Sequence, residues 1–195
     1  GDAIDVAIVQ SGVPAYADQE GQELRDPTAL YAHYRKLADE IPDCELALWP
    51  ESALSGFFFE EGEGEREQLR SLLPLFGRAR GMVIGALRVE PGAARSSFPD
   101  AYRNVAYYLG REGEGRRAAA TMRAVHEKMR LVPGGEALPF WLGWLRSVWP
   151  NLWRTEHGRP QELARLPDGR GFGMAICYEN SFPGHLARDA KRGAS

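Results

Sequence analysis

The first half of the chain alternates short apolar runs with segments in which apolar residues recur at helical spacing. Residues 5–10 form a β-branched apolar run bounded by turn residues, which is typical of a buried strand. Residues 26–43 begin with Asp26 as a helix cap and Pro27 in the first turn, and apolar residues follow at positions three or four apart. This pattern predicts an amphipathic helix.

The same alternation continues through the next fifty residues. A strand-like run at 44–51 is halted by Pro50, a helical segment with a break near Pro74 follows at 65–80, and residues 81–90 read as a strand again. Strands that alternate with helices favour a mainly parallel or mixed sheet covered by helices. We therefore expect an α/β fold.

The alternation of predicted strands and helices ends after residue 90. Apolar runs at 104–110 and 117–128 flank the turn sequence REGEG and predict a hairpin, although the second run also has enough Ala and Arg for a helix. Residues 140–149 have helical spacing, residues 170–177 read as a strand, and residues 183–193 as a helix that ends at a glycine.

Composition limits the class of protein. The chain has 195 residues, of which 44% are hydrophobic and 26% are charged, so it can bury one core and is expected to form one domain. A net charge of −3 at pH 7 gives no basic stripe, and we expect no nucleic-acid partner. The sequence has no apolar run of the roughly 18 residues that a bilayer span requires.

Cysteine and histidine usage indicates reduced thiols and no metal centre. Cys44 and Cys177 are far apart in sequence, too few for a disulfide framework, and we expect both to be free thiols. The four histidines do not form a metal-ligand spacing. We expect no cofactor and no metal.

Three ionisable residues fall where predicted strands end. Glu51, Lys128 and Cys177 close their apolar runs, and ligands of helix-covered sheets bind at the carboxyl ends of strands. A nearby ammonium favours a thiolate and a carboxylate can accept the thiol proton, so the three form a working set for nucleophilic catalysis. Lysine is rare in this chain, with three against 21 arginines, and only lysine offers a compact point charge. Taken singly, each also suits an ordinary structural role: a core thiol, a solvated cation and a turn carboxylate.

Three ordered motifs carry a family resemblance. They are LALWPESAL at 46–54, KMRLVPGGEALP at 128–139 and AICYENSFPG at 175–184. Their order and spacing resemble the carbon–nitrogen hydrolase (nitrilase) superfamily, and most closely the catalytic domain of the apolipoprotein N-acyltransferase family. The resemblance implies a nitrilase-like αββα sandwich with mixed sheets. It covers residues 1–195 as one catalytic domain that belongs to a longer protein.

The resemblance also implies residue roles. Glu51 would be the general base, Lys128 the cation that stabilises the oxyanion, and Cys177 the nucleophile. Glu136 and Glu179 match the two accessory carboxylates of the family.

This sequence departs from the family pattern near those residues. His126 stands where the family usually has Tyr, Arg130 where it has His, and Gly134 where it has Phe, which concerns substrate shape more than reaction type. The family also carries a membrane domain ahead of this region and further strands after the cysteine. Because unpaired sheet edges are a liability, we expect the missing C-terminal part to be supplied by the remaining chain or by a partner.

A tryptophan-rich segment is a candidate membrane contact. On one helical face, Trp141, Trp144 and Trp149 fall together with Leu145 and Val148. Such an aromatic belt suits a membrane interface, and an ordinary buried helix is the alternative.

Three functional hypotheses follow. The first is an N-acyltransferase that moves a fatty acyl group from phospholipid to the amino terminus of a lipoprotein through a cysteine thioester, in the bacterial inner membrane with the catalytic domain on the periplasmic side. The second is a soluble cytoplasmic amidase or nitrilase that uses the same Glu-Lys-Cys triad on a small amide or nitrile. The third is a non-enzymatic scaffold, against which the intact triad counts.

Overall fold

The computed structural model shows a mixed α/β fold built on one central sheet. It describes residues 3–10, 12, 26–51, 53–54, 57–91, 101–113, 115–138, 140–142, 144–148 and 155–194. The α/β class predicted from the alternation of strands and helices is confirmed at this level.

The central sheet has six strands, and the first four make parallel pairs before the chain continues as an antiparallel meander. The strands are β1 (Val6–Ile8), β2 (Leu46–Leu48), β3 (Phe58–Glu60), β4 (Gly81–Val89), β5 (Arg103–Glu112) and β6 (Ala119–Glu127). Their order is β1-β2-β4-β5-β6, and β3 pairs with the second half of β4. The β1–β2, β2–β4 and β3–β4 pairs are parallel, and the β4–β5 and β5–β6 pairs are antiparallel.

Four α-helices and one small hairpin complete the described fold. They are α1 (Pro27–Asp39), α2 (Glu63–Arg70), α3 (Leu145–Val148), α4 (Pro183–Lys191) and the antiparallel pair β7 (Ala164–Arg165) and β8 (Gly171–Phe172). As predicted, Asp26 caps α1, because its carboxylate accepts the backbone N–H of Thr28 at 2.7 Å and of Ala29 at 3.1 Å.

The sheet carries apolar clusters on both faces. The larger cluster packs α1 and the residues after α2 against the sheet and includes Tyr34, Phe76 and Tyr107. The smaller cluster joins Leu46 and Tyr108 to residues of the β7–β8 hairpin, including Leu166. Burial on both faces matches the nearly continuous apolar sequence of β4.

Most predicted elements are present with shorter bounds. The hairpin reading of residues 104–128 is confirmed, because β5 and β6 pair antiparallel. The break near Pro74 is also confirmed, since α2 ends at Arg70 and a 3₁₀ turn, Leu73–Phe76, follows. Strand β3 was not predicted, because three consecutive phenylalanines indicate burial but not backbone pairing.

Two predictions in the second half are wrong. The strand expected at 170–177 is paired only at Gly171–Phe172, so Cys177 does not close a strand and instead begins a 3₁₀ turn, Cys177–Ser181. The helix expected at 140–149 is divided into a 3₁₀ turn, Phe140–Leu142, and the short helix α3. Trp149 lies outside the described residues.

No helix in the described part of the chain combines the length and the apolar character that crossing a membrane would require.

Candidate active site

Glu51 lies in the connection between β2 and β3, and β3 pairs with β4. The backbone N–H of Gly85 donates to the carbonyl of Pro50 at 3.3 Å, and the N–H of Leu54 donates to the carbonyl of Gly85 at 3.2 Å. A Cβ atom at Gly85 would collide with the backbone of Glu51. Glycine at this position therefore lets the connection lie directly against β4, and we expect this close approach to help position Glu51.

Lys128 follows the last residue of β6 and is held by two backbone hydrogen bonds. Its N–H donates to the carbonyl of Asn104 at 2.8 Å, and its carbonyl accepts the N–H of Gly158 at 2.8 Å. The side chain is only 1% exposed. A lysine this deeply buried needs charged partners, because burying an unpaired ammonium costs free energy.

Two carboxylates supply those partners. The Nζ of Lys128 donates to Oε1 of Glu136 at 2.7 Å and to Oε1 of Glu51 at 3.0 Å. The amide Nδ2 of Asn104 also donates to Oε1 of Glu51, at 2.6 Å. Burial disfavours the charged form of Lys128, but the hydrogen bonds that its ammonium donates to Glu136 and Glu51 outweigh this effect and raise its pKa, so the ammonium persists at neutral pH.

Glu136 is fixed by the turn that carries it. Its backbone N–H donates to the carbonyl of Val132 at 2.9 Å, and its Oε2 accepts the N–H of Val132 at 2.8 Å. Gly134 lies inside this turn with a φ of 81°, a conformation that favours glycine. The carboxylate is therefore locked with one oxygen on the backbone and the other on Lys128.

A buried ion network holds the end of β6 behind Lys128. Glu127 accepts from Arg88 at 2.8 Å, and Arg88 also donates to both oxygens of Glu65, at 2.7 and 2.9 Å. The N–H of Arg159 donates to the other oxygen of Glu127 at 2.9 Å. All of these groups are paired, which gives the neighbouring lysine a rigid support.

Cys177 is exposed, whereas Cys44 is buried, and both are free thiols as predicted. Cys177 has a φ of 50°, the one positive value among the described residues other than glycine. A non-glycine residue in this region is strained, and such strain clusters at functional sites. The residue lies where the chain changes from the extended conformation of Ile176 to the 3₁₀ turn Cys177–Ser181.

Glu179 links the Cys177 turn to the segment after Lys128. Its Oε1 accepts the N–H of Met129 at 2.8 Å, and its Oε2 accepts the N–H of Ile176 at 2.9 Å. The side chain is fully buried. Burial raises the pKa of this carboxyl group, but hydrogen bonds from His126 and from the backbone N–H of Ile176 and Met129 outweigh that effect and lower it to about 2.

A buried histidine pair beside Glu179 was missed by the sequence analysis. Nε2 of His126 lies 2.7 Å from Oε2 of Glu179, and the ring of His185 packs edge-on against that of His126 with centroids 5.5 Å apart. One donor atom from each of the three residues lies within 4.8 Å of the others. Both Glu179 oxygens accept backbone N–H groups and Arg188 donates to Nδ1 of His185 at 3.0 Å, so we interpret the cluster as a hydrogen-bonded group and not as a metal site.

Of the five predicted site residues, three are in direct contact: Glu51, Lys128 and Glu136. Glu179 is joined to this group through the backbone of Met129, and Cys177 is joined to Glu179 through their shared turn. Asn104 is a further polar contact of the site that sequence reasoning did not find.

Comparison with known proteins gives this arrangement a family context. No protein-family profile matches the chain. Apolipoprotein N-acyltransferase of Rhodopseudomonas palustris is 28% identical over 151 residues, which cover 75% of this chain and 26% of that protein. The enzyme of Agrobacterium fabrum is 28% identical over 197 residues, with 95% and 34% covered, and that of Geobacter metallireducens is 25% identical over 195 residues, with 97% and 34% covered.

The chain is related to the apolipoprotein N-acyltransferases. The resemblance seen in the three motifs is thereby confirmed as a relation to the carbon–nitrogen hydrolase domain of those enzymes. The chain spans about a third or less of the length of these relatives.

Two of the predicted departures from the apolipoprotein N-acyltransferase pattern lie close to the Cys177 turn. His126 contacts Glu179, and the guanidinium of Arg130 lies over the ring of Phe182 at 5.2 Å. Trp141 and Trp144 are 64% and 62% exposed, so within the described residues these indoles are not buried.

Proposed function

We propose that this protein is an N-acyltransferase that moves a fatty acyl group from a phospholipid to the amino terminus of a lipoprotein, with Cys177 as the nucleophile. The observation that carries the proposal is the contact of buried Lys128 with Glu51, a residue 77 positions earlier in the sequence. The names of the relatives support the choice of acyl transfer.

Thioester formation uses Glu51 and Lys128 in separate roles. The thiol of Cys177 gives its proton to Glu51 while its sulfur attacks the ester carbonyl of the phospholipid. The ammonium of Lys128 and the backbone N–H of Tyr178 stabilise the oxyanion that forms. The intermediate collapses, the carbon–oxygen ester bond breaks, and the departing lysophospholipid oxygen takes the proton from Glu51.

In the second half of the reaction, the acyl group passes from Cys177 to an amine. The amino terminus of the lipoprotein attacks the thioester carbonyl and passes a proton to Glu51. The carbon–sulfur bond breaks, and the Cys177 thiolate recovers that proton. Glu136 keeps Lys128 charged and aimed throughout, because its second oxygen is fixed on the Val132 backbone.

The geometry supports this division between the two carboxylates. The Glu51 side chain is 32% exposed and that of Glu136 is 22% exposed. Glu136 has one oxygen committed to the backbone, so Glu51 is better placed to exchange protons with a substrate. We further propose the αββα sandwich, an inner-membrane location with the catalytic domain on the periplasmic side, and membrane contact through Trp141 and Trp144.

The test is a transfer assay with the full-length protein. Vesicles that contain a phospholipid with a labelled acyl chain are mixed with a synthetic lipopeptide that has a free amino terminus, and the peptide is weighed by mass spectrometry. We expect one acyl group on the amino terminus. The same peptide with an acetylated amino terminus should remain unmodified, and Cys44→Ala should retain activity because Cys44 is buried in the main core.

An outcome of free fatty acid with no acylated peptide, together with hydrolysis of small amides or nitriles, would contradict the proposal and favour the amidase alternative. Transfer that survives Cys177→Ala would contradict the role of Cys177.

A further inference from the structure

We infer that His126 is a positioning residue: its Nε2–H orients the Glu179 carboxylate, which in turn sets the Cys177 turn relative to Lys128. This inference rests on the proposed function for its kinetic readout. Its structural basis is independent of the reaction and consists of buried contacts among four chain segments.

Glu179 bridges the segments that carry Lys128 and Cys177. One oxygen accepts from Met129, the residue after Lys128, and the other accepts from Ile176, the residue before Cys177. The distance between the two catalytic segments therefore depends on how this one carboxylate is rotated. A rotation would exchange or stretch both backbone hydrogen bonds together.

Only one side chain among the described residues donates to that carboxylate, and it is His126. Nε2 of His126 lies 2.7 Å from Oε2 of Glu179. A carboxylate is an acceptor, so Nε2 must carry the proton. The bond shares Oε2 with the N–H of Ile176, which fixes this oxygen from two directions.

The surroundings of His126 keep its ring in place. It is 5% exposed, and its ring packs edge-on against His185, which belongs to α4. His185 is oriented by Arg188, which donates to Nδ1 at 3.0 Å, and its Nε2 lies 3.3 Å from the carbonyl of Met174 and 3.9 Å from Asp189. Helix α4 follows the Cys177 turn directly, so the histidine pair ties the turn, the helix and β6 into one unit.

A matched pair of substitutions isolates the hydrogen bond. His126→Gln keeps an N–H donor at about the reach of Nε2, whereas His126→Met has nearly the same shape and no donor. Losing a hydrogen bond to a charged acceptor should lower the rate of thioester formation by about 10- to 100-fold in His126→Met, with KM for phospholipid little changed. We expect His126→Gln to recover most of the rate, and His33→Met on α1 to match wild type.

Two readouts do not depend on acyl transfer. Hydrogen exchange at the amides of Met129 and Ile176 should accelerate in His126→Met and stay slow in His126→Gln. In wild-type protein with ¹⁵N-labelled histidine, the NMR spectrum should show His126 protonated at Nε2, a measurement that holds even if His126→Met fails to fold.

The inference is overturned if Nε2 of His126 carries no proton, if His126→Gln is as slow as His126→Met, or if His126→Met forms the thioester at the wild-type rate. Absence of acyl transfer in wild type would overturn the proposed function alone, because the exchange and NMR results would still report on the His126–Glu179 contact.

Discussion

Gly85 leaves no room for a side chain where the Glu51 connection crosses β4. A Cβ atom there would approach the Cα, C and O atoms of Glu51 well within the 3.0 Å that real Cβ contacts respect. These are backbone atoms, so no flexible side chain can move aside. Gly85→Ala should therefore push the Glu51 connection away from β4.

The size of the effect follows from these contacts. Relieving the collision needs a shift of about 1 Å, and a misplacement of that size at a catalytic group costs on the order of 100-fold in rate. The Lys128–Glu51 hydrogen bond is 3.0 Å long, so such a shift would stretch it beyond hydrogen-bonding distance. Overpacking of this kind also destabilises a fold by about 1–3 kcal/mol.

The assay compares two alanine substitutions that differ only in surroundings. Gly64 lies in α2 with nothing near its Cβ position, so Gly64→Ala should raise the free energy of unfolding by about 0.5–1 kcal/mol and leave turnover unchanged. Turnover is measured in the transfer assay well below each melting temperature. Near-normal turnover of folded Gly85→Ala would refute the claim that the close approach positions Glu51.

Three further predictions concern separate parts of the account. Lys128→Arg should lower the rate of thioester formation on the order of 100-fold or more, because a guanidinium is not a compact donor; near-normal turnover would reassign Lys128 to a structural ion pair. The pKa of Glu179 is lowered to about 2, so its charge stabilises the fold above the ordinary carboxyl pKa and this contribution is lost as the pH falls towards 2. In urea titrations the stability advantage of wild type over Glu179→Gln should shrink over that acid range, and an advantage that is constant with pH would contradict the assignment. Trp141→Ser with Trp144→Ser should weaken binding to liposomes while changing the free energy of unfolding by less than about 0.5 kcal/mol, because both indoles are exposed; unchanged liposome binding would reject the membrane contact.

The contacts of Lys128 could be anticipated in part from the sequence. Glu51 and Lys128 both follow apolar runs that read as strands, and the family motifs place Glu136 beside them. Asn104 could not be anticipated, because its position depends on the register of β4, β5 and β6, in which Val105 lies opposite Glu127. The apolar pattern along the chain predicts the secondary-structure elements, but the register of strand pairing determines which side chains come into contact.

In the segment before Cys177, the apolar pattern predicted the wrong element. Its apolar residues predicted a strand, but the residues from Gly173 to Ile176 pair with no neighbouring strand in the described part of the chain. Met174 packs against the apolar cluster of Leu46 and Tyr108, and the segment also contacts α4. The carbonyl of Met174 lies 3.3 Å from Nε2 of His185, and a Cβ atom at Gly173 would meet the side chain of Asp189. An apolar run indicates burial, but it does not show whether the buried residues contact a strand or a helix. The His126–Glu179 contact was missed for a different reason: 53 residues separate the two, and their contact depends on the tertiary fold.

The central claim is that Cys177 forms a thioester, and the most direct measurement is to trap it. The full-length protein is incubated with phospholipid vesicles in the absence of an amine acceptor, quenched in acid, digested and analysed by peptide mass spectrometry. The account predicts a fatty acyl adduct on Cys177, which disappears when the lipopeptide is added, and a greatly reduced yield in Glu51→Gln because no base accepts the thiol proton. An adduct on Cys44, or no adduct on Cys177 in protein that still transfers acyl groups, would contradict it.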